Sequence, residues 1–307
     1  MRRLATIIFK CFTLALSLWL LAKPFYNSDA QVRVIDETPL PIKPPATRKP
    51  TSRRPVNSPS HKPTTKPVTH KPTSSVPSER IGPNIEIEMV SLPGKEGFMM
   101  GSPKSDSDRE DDEELHPVTV PAFSIGKYEI TQAQWGALMG SNPSRNRGAN
   151  LPVERVSWKE AQEFCQKLSR LKKKKFRLPT EAEWEYVCSV STEGAYPNEL
   201  KDIAWYKENS SGQTRPVGQK KAMKYELFDM LGNVSEWCED VYHSNYKEVP
   251  NDGSAWSNAG DSERQVVRGG SWDDPSFIIR PTRRNSYPPA ERNNGLGFRV
   301  VESGKMP

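Results

Sequence analysis

The sequence predicts a single folded domain that mixes helices and strands and contains long segments without regular structure. Three observations support this class. Apolar and polar residues alternate over residues 86–90, as in a half-buried strand. Three stretches between residues 131 and 188 begin with helix-capping patterns. Beyond residue 190, short apolar pieces are separated by Gly, Asn, Asp and Ser and follow no helical period.

The 307 residues divide into a basic N-terminal part and a slightly acidic remainder. Residues 1–80 contain 14 basic and 4 acidic side chains, which leaves 30 basic and 34 acidic side chains for residues 81–307. A nucleic-acid-binding domain needs a concentrated positive face, so this distribution argues against nucleic acid as a partner. The remainder is long enough to bury one substantial core.

Residues 1–30 have the pattern of an export signal. Arg2 and Arg3 precede a hydrophobic stretch over residues 4–22 that carries a single charge, and small residues follow before residue 31. The stretch is also close to the roughly 20 residues that span a bilayer, so an uncleaved membrane anchor is the alternative to a cleaved signal peptide. In both cases we expect export, either to a periplasmic or other extracytoplasmic space or as a secreted protein.

The next segment, residues 31–82, is rich in Pro, Thr, Ser, Lys and Arg from residue 39 onward. Prolines at this density favour an extended polyproline II conformation and cannot form a core. Residues 43–80 hold nine basic groups and one acidic group, Glu79. We therefore expect a disordered linker that acts as a tether. Its charge leaves open a second role, adhesion to anionic lipid or wall polymers.

Strand patterns and an acidic loop open the domain, whose predicted bounds are 83–303. The apolar run at 98–100 and the alternation at 116–120 continue the strand pattern. Between them, residues 106–114 contain seven carboxylates. Carboxylates can bind Ca²⁺, but these lack the glycine turn and the spacing of an EF-hand loop. We expect a solvated loop.

Three helices are predicted from the residues at their N-termini. Thr131 with Gln134, and Thr180 with Glu183, have the spacing of capping boxes. Ser157 is the predicted N-cap of a stretch in which apolar residues recur at three- and four-residue steps. We expect this second helix to be strongly amphipathic.

A lysine run, residues 172–175, follows the second predicted helix. Cations are favourable at the negative end of a helix dipole. We prefer this structural interpretation to a polyanion-binding site.

Short motifs in a fixed order carry a family resemblance. The first half of the domain contains EITQAQW at 129–135, PV at 152–153, VSW at 156–158 and RLPTEAEWEY at 177–186. The second half contains PVG at 216–218, LFDMLGNVSEW at 227–237, RGGSW at 268–272 and GFR at 297–299. In this order they closely resemble the sulfatase-modifying-factor family, typified by formylglycine-generating enzyme. The resemblance implies a variant C-type-lectin-like fold, which is one α+β domain with low regular secondary structure.

The resemblance also marks the positions of the family's oxidase chemistry. In formylglycine-generating enzyme, two thiolates that hold copper(I) lie three and eight residues after the serine of the RGGS motif, which here is Ser271. This chain has Asp274 and Ile279 at those positions, and Ser235 where the active enzymes have tryptophan. Copper(I) prefers thiolate ligands, so we expect neither copper nor formylglycine formation. Ser271 and Asp274 remain candidate groove residues, and a role for Ser271 in the fold is the first interpretation.

The family's second calcium site implies a Ca²⁺ site in this chain. Its side-chain and carbonyl oxygens map onto Asp229, Gly232, Val234 and Glu236. Two carboxylates seven residues apart suit a hard cation, so we expect a structural Ca²⁺ here. The alternative is that loop amides or an arginine such as Arg268 neutralise the carboxylates.

Histidines and cysteines leave two further alternatives. Some relatives bind non-haem iron through three histidines, whereas this domain has only His116 and His243. A site of two histidines and one carboxylate remains arithmetically open, and structural histidines are the simpler interpretation. An oxidising compartment could join Cys165 to Cys188 and leave Cys238 unpaired. Buried free thiols are the alternative.

Two functions from different classes follow. The first is an exported, catalytically altered family member that binds a peptide, a glycan or another envelope component in the groove where its relatives hold substrate. The missing thiolates favour it. The second is an oxidative enzyme that modifies proteins or metabolites through unrecognised catalytic groups, which the family resemblance keeps open. The fold alone does not decide between these two functions, because one fold can carry many functions.

Overall fold

The computed structural model of the chain describes residues 79–81, 85–194, 196–258, 260 and 263–305. The predicted signal or anchor at 1–30, with its hydrophobic stretch 4–22, and nearly all of the linker at 31–82 lie outside the described residues. Among the residues that are described, no helix is both long enough and apolar enough to cross a bilayer.

The described chain combines short strands with four helices. The helices are α1 (Gln132–Met139), α2 (Trp158–Lys172), α3 (Glu181–Thr192) and α4 (Leu200–Ile203). The strands are β1 (Glu79–Ile81), β2 (Ile85–Ile87), β3 (Met89–Leu92), β4 (Lys95–Met100), β5 (His116–Val120), β6 (Phe123–Gly126), β7 (Lys174–Arg177), β8 (Ser235–Val241), β9 (Gln265–Arg268), β10 (Arg284–Tyr287), β11 (Leu296–Gly297) and β12 (Val301–Lys305). This is the α+β class with low regular secondary structure that the sequence predicts.

All three helices predicted from capping chemistry are present. Thr131, Ser157 and Thr180 are the N-caps of α1, α2 and α3, and each side chain accepts a hydrogen bond from the backbone amide three residues later. Each cap is completed by a reciprocal bond from the N-cap amide to the side chain at that third position. Each capping box gives hydrogen-bond partners to two backbone N–H groups that would otherwise be unpaired. The pattern involves residues only three apart, so the helix starts could be predicted from the sequence.

The predicted strand at 86–90 is divided in two. The chain leaves β2 after Ile87 and enters β3 at Met89, and the two strands pair with different partners, β1 and β6. The first described strand, β1, begins at Glu79, before the predicted domain start at 83. Alternation alone could not reveal either feature, because pairing partners are set by distant segments.

Two four-stranded sheets organise the domain. Their strand orders are β10–β9–β8–β11 and β3–β6–β12–β7, and β1–β2 and β4–β5 form separate two-stranded sheets. Strand β11 runs parallel to β8, whereas the other paired strands are antiparallel. The sheet centred on β8 and β9 places the motif at 227–237 beside the motif at 268–272.

Two apolar clusters fill the interior. One surrounds Trp184 on α3, and the other contains Phe164 on α2, Trp237 on β8 and Phe298. The rings of Phe164 and Phe298 meet edge-to-face with centroids 5.4 Å apart, an arrangement favoured by the ring quadrupoles. These clusters fix α2 and α3 against the sheets and thereby position the loop after β9.

Candidate functional site

The loop that follows β9 contains the candidate groove residues. It starts with Gly269 and Gly270, whose φ values are +94° and +69°. A Cβ on Gly270 would lie 2.5 Å from Cδ1 of Ile279, so only glycine allows this close return of the chain. We call residues 269–279 the serine loop.

Ser271 and Asp274 form a local hydrogen-bonded pair within the serine loop. The amide and the hydroxyl of Ser271 donate to Oδ2 of Asp274 at 2.8 and 2.9 Å. The carbonyl of Asp274 accepts a bond from the amide of Lys207 at 3.0 Å. Ser271 is buried, whereas Asp274 is partly exposed. The bonds of Ser271 lie within the loop itself, and the carboxylate of Asp274 is the more exposed member of the pair.

The two positions that the family resemblance assigns to copper-binding thiolates lie near one point beside Gly270. Both Asp274 Oδ2 and Ile279 Cδ1 lie within 4 Å of the point where Gly270 would carry a Cβ, at 3.7 and 2.5 Å. Ile279 is fully buried in the core. A carboxylate and a hydrocarbon thus stand side by side, and this donor set does not suit copper(I), which prefers thiolates.

Aromatic side chains border the same loop. Tyr287 on β10 packs edge-to-face on Trp237 at a centroid distance of 6.4 Å. Burial, with a smaller contribution from the negative charge of Asp274, raises the pKa of the Tyr287 hydroxyl. Phe277 is 68% exposed, although it lies in the 3₁₀ turn Ser276–Ile278 of the serine loop. The sequence did not predict the exposure of this ring, because Phe277 lies in the apolar run Phe277-Ile278-Ile279 and such a run is usually buried.

Ser235, at the position where the family resemblance implies tryptophan in active enzymes, also lies near the serine loop. Ser235, on β8, donates its amide to the carbonyl of Gly295 at 2.7 Å. A Cβ on Gly295 would in turn lie 2.8 Å from both Cβ and Oγ of Ser271. The substituted positions 235, 274 and 279 are therefore parts of one region.

A second region surrounds the predicted calcium residues. Oδ2 of Asp229 accepts the amide of Gly218 at 2.7 Å, whereas its buried Oδ1 has no hydrogen-bond partner. Glu236 accepts bonds from Arg299, with Nε at 2.9 and 2.7 Å from its two oxygens, and from the indole of Trp184 at 2.8 Å. Arg299, rather than the suggested Arg268, is the arginine that faces these carboxylates.

Glu129 adds a third buried carboxylate to this region. Its oxygens accept the side-chain amide of Asn233 at 2.7 Å and the backbone amide of Val234 at 3.0 Å. Burial, followed by the negative charges of Asp229 and Glu236, raises the pKa of Glu129 well above its ordinary value. Burial likewise raises the pKa of Asp229 to about 6.

We call Glu129, Asp229, Glu236 and Arg299 the acid cluster. Three carboxylates face one guanidinium in a buried setting, and one carboxylate oxygen has no partner. Gly232, at φ +78°, brings its backbone into contact with the carbonyl of Trp205, where no side chain would fit. The three carboxylates of the cluster outnumber its one guanidinium, and two of them, Asp229 and Glu236, are the residues that the family resemblance assigns to calcium.

The acidic loop is mostly solvated, as its sequence predicts, but one of its carboxylates is buried. Glu113 is fully buried, and its two oxygens pair with Arg280 at 3.0 and 2.6 Å. The hydroxyl of Ser102 also donates to Glu113 at 2.8 Å. Glu110 pairs with Arg283, and Asp112 lies 3.8 Å from Arg284. Glu110, Asp112 and Glu113 thus tie the loop to arginines in the segment that follows the serine loop. Asp108, Asp111 and Glu114 are exposed to solvent.

The two histidines occupy packing positions. His243 stacks on Trp256 with ring centroids 3.4 Å apart, and His116 lies 4.3 Å from the ring of Tyr246. Burial lowers the pKa of His116. No group of three or more His, Cys, Asp or Glu side chains able to hold a metal occurs in the described part of the chain.

The three cysteines of the described residues are free. Cys165, Cys188 and Cys238 are all buried without a disulfide, so the alternative of buried thiols describes them and the Cys165–Cys188 bond is absent. Burial raises the pKa of each thiol. Since the thiolate is the reactive form, none of the three is suited to nucleophilic or metal chemistry.

Comparison with known families identifies the domain that contains the acid cluster and the serine loop. Residues 77–303 match the model of a family described as the sulfatase-modifying factor enzyme 1-like domain. The chain belongs to the sulfatase-modifying factor family. The match contains the acid cluster and the serine loop, as well as all of the motifs found in the sequence.

Several relatives have different names within this family. The chain is 33% identical over 245 residues to "Chaperone protein LppX" of Paenibacillus barcinonensis, a match that covers 61% of this chain and 82% of that protein. It is 28% identical to the serine/threonine-protein kinase pkn1 of Chlamydia caviae over 71% of this chain but 38% of that protein. It is 29% identical to the formylglycine-generating enzyme of Streptomyces coelicolor, over 58% of this chain and 60% of that enzyme.

Two solved structures share the fold of this sulfatase-modifying factor domain. PvdO from Pseudomonas aeruginosa superposes with a TM-score of 0.66 and 28% identity, over 77% of this chain and 99% of PvdO. Variable protein 1 of Treponema denticola gives a TM-score of 0.64 and 28% identity, over 74% of this chain and 98% of that protein. The expected variant C-type-lectin-like architecture is thereby confirmed.

Proposed function

We propose that this chain is an exported sulfatase-modifying-factor-family protein that binds a ligand of the cell envelope instead of oxidising a cysteine to formylglycine. The ligand would be a peptide, a glycan or another envelope component held at the serine loop. The observation that carries the proposal is the pair Asp274 and Ile279, which occupy the two converging positions where the oxidase needs thiolates. A hydrogen-bonded carboxylate and a buried hydrocarbon cannot perform that copper chemistry.

The groups that remain at the serine loop suit recognition. The partly exposed Asp274 can accept hydrogen bonds, and Phe277, three residues later in the same loop, is 68% exposed. An aromatic ring next to a fixed polar group is typical of binding surfaces. The name of the Paenibacillus barcinonensis relative, a chaperone protein, is consistent with a family member that binds other molecules.

Export and a structural Ca²⁺ complete the proposal. The signal-like residues 1–30 would direct the domain across a membrane, with residues 4–22 as either a cleaved signal or an anchor. The proline-rich residues 31–82 would act as a flexible tether. Asp229 and Glu236, with the carbonyls of Gly232 and Val234, would hold the ion. Its chemistry would be structural, since it would neutralise buried carboxylates in the acid cluster.

A peptide-display selection on the full chain tests the binding function. We expect the selection to enrich peptides whose affinity falls at least tenfold, about 1.4 kcal/mol, when Asp274 is replaced by Ala. A similar loss is expected for Phe277→Ala. The variant Lys247→Gln, which changes an exposed residue outside the serine loop, is the matched control and should keep full affinity.

The same samples distinguish the enzymatic alternative. A sulfatase-type cysteine peptide incubated with the chain, copper and O₂ should be recovered unchanged by mass spectrometry. Conversion to formylglycine above a control without protein would show an oxidase and overturn the proposal. Selected peptides whose affinity is indifferent to both Asp274→Ala and Phe277→Ala would also contradict binding at the serine loop.

A further inference from the structure

A dense cationic surface lies at the C-terminal end of α2 and the start of β7. Within residues 167–175, six of nine side chains are Lys or Arg. The domain as a whole is not basic, since residues 81–307 hold 30 basic and 34 acidic side chains. One fifth of the basic residues of an acidic domain therefore lie in this single short segment, which we call the basic end.

The basic end includes an exposed leucine. Leu171 is 53% exposed and lies one helical turn after Lys167, on the same side of α2. Arg170 and Lys172 are its chain neighbours. The other apolar residues near this end of the helix, such as Leu168, are fully buried. Leu171 is thus a single apolar side chain that projects from a surface of cations.

Several of these cations are available to a partner. Lys167 pairs with Glu163 at 3.0 Å, and Lys174 pairs with Glu302 at 3.1 Å. Arg170, Lys173 and Lys175 are exposed, and no carboxylate of the described residues lies within 4.0 Å of their charged groups. The basic end therefore keeps positive charge that the folded domain does not neutralise.

Structural roles explain only part of the basic end. The helix dipole favours cations in the last turn of α2, and lysines on β7 protect the exposed edge of its sheet from pairing with other chains. Neither role calls for an exposed leucine. An apolar side chain ringed by Lys and Arg is instead suited to an interface where anionic groups cover an apolar interior.

We propose that the basic end docks the domain on an anionic lipid bilayer. The cations would contact lipid phosphates, and Leu171 would enter the boundary between headgroups and acyl chains. An anionic wall polymer or a nucleic acid would satisfy the charges but would leave Leu171 in water, so lipid is the partner that uses every exposed group. This surface is separate from the serine loop, and the proposal does not depend on the ligand bound there.

The neighbouring groove does not take the anion. That groove, about 510 Å³ in volume, is lined by Lys175 and Arg177 but also by Glu183, Glu239 and Asp252. Arg177 is already paired with Glu183, at 2.6 Å. Three carboxylates would repel a phosphate, so the contact is expected on the exposed face and outside the groove.

The position of β1 is compatible with this orientation. Strand β1 packs against α1 and α2, so the chain enters the domain beside the helix that ends in the basic end.

A fluorescent probe at residue 171 tests the proposal in the full chain. Leu171→Cys in a Cys11→Ser background provides one reactive thiol for an environment-sensitive dye, because the other three cysteines are buried. We expect a blue shift and stronger emission with vesicles of phosphatidylglycerol and phosphatidylcholine in equal parts, and no change with pure phosphatidylcholine. A dye at Phe277→Cys should not respond to either vesicle.

Charge variants supply the quantitative test. Each cation near an anionic surface contributes about fivefold in partitioning, so Lys173→Gln with Lys175→Gln should raise the lipid concentration at half-response about twenty-five-fold. The control pair Lys104→Gln with Lys247→Gln removes the same charge elsewhere and should leave the lipid concentration at half-response nearly unchanged. Vesicle binding without a response at residue 171 would overturn the proposal, because the N-terminal segment alone would then be responsible. Equal effects of the two charge pairs would overturn it as well.

Discussion

The acid cluster and the serine loop lie close together beside the paired strands β8 and β9, yet they differ in what this chain has retained. In the acid cluster, every position that the family resemblance assigns to calcium still offers an oxygen, and Arg299 binds Glu236 through several hydrogen bonds. In the serine loop, the turn-forming Gly269, Gly270 and Ser271 remain, but the two reactive positions do not. The difference separates groups that hold the fold from groups that perform a reaction.

Physical chemistry explains why the two regions respond differently to substitution. A buried charge without a partner costs several kcal/mol, so the members of the acid cluster depend on one another. Asp274 is partly exposed and its bonds are local, within a turn of four residues. Replacement at the serine loop can therefore change chemistry at little cost in stability. Four measurements can break or sharpen this comparison.

The largest effect is expected from Arg299→Met. This change leaves three buried carboxylates without their cation, and we expect the free energy of unfolding to fall by about 3–5 kcal/mol. Denaturant unfolding of the native chain and the variant measures it. Asp274→Asn is the control from the serine loop and should cost less than about 1 kcal/mol. Similar losses for the two variants would show that folding stability depends equally on the acid cluster and the serine loop.

Addition of Ca²⁺ should give the second-largest effect. An ion that binds only the folded state at 100 times its dissociation constant stabilises it by about 2.7 kcal/mol. The melting temperature of the native chain should rise with Ca²⁺, whereas Asp229→Asn and Glu236→Gln should hardly respond. If chelation leaves the native melting curve unchanged and the purified protein contains no calcium, the calcium assignment is wrong.

The pH dependence of Ca²⁺ binding should be smaller but diagnostic. Burial raises the pKa of Asp229 from 3.8 to about 6, so the ion-free folded state holds a proton that the unfolded state has lost between those values. Stability without the ion should then decrease as pH rises through this window. Because Ca²⁺ must displace that proton, its apparent affinity at pH 5 should be about tenfold weaker than at pH 7.5. Isothermal titration at both pH values measures this, and equal affinities would exclude Asp229 as a ligand.

The smallest effect is expected for copper at the serine loop. The native chain should bind no copper(I), because Asp274 and Ile279 offer no thiolate. The double variant Asp274→Cys with Ile279→Cys restores two soft ligands at positions that converge beside Gly270, and it should retain one copper per chain after gel filtration. Tight copper binding by the native chain would refute the interpretation of this region. A double variant that folds but binds none would show that the two positions are too far apart.

The sequence predicted those features that depend on local or motif-borne signals. Capping boxes at Thr131, Ser157 and Thr180 fixed three helix starts, since a cap involves residues only three apart. Ordered motifs revealed the family and so the fold. The same resemblance assigns the separate positions 235, 274 and 279 to one site.

The sequence could not reveal partners that tertiary structure brings together. Arg280 and Glu113 are 167 residues apart, and nothing in the acidic stretch marks Glu113 as the buried member of a paired loop. For the same reason Arg268 was suggested as the partner of the calcium carboxylates, whereas Arg299 occupies that place and Arg268 instead pairs with Glu185. The exposure of Phe277 also depends on how the loop folds back, which composition does not encode.

Trp184 gives the two regions a shared optical reporter. Its indole N–H donates to Glu236 in the acid cluster at 2.8 Å, and its ring lies 3.1 Å from the point where Gly269, at the start of the serine loop, would carry a Cβ. The guanidinium of Arg268 is placed 5.4 Å from the same ring. Ion binding at the acid cluster or ligand binding at the serine loop should therefore change the electric field at the buried indole of Trp184. The near-ultraviolet circular dichroism of the native chain minus that of Trp184→Phe would therefore record ion binding and loop occupancy in a single spectrum, without a label.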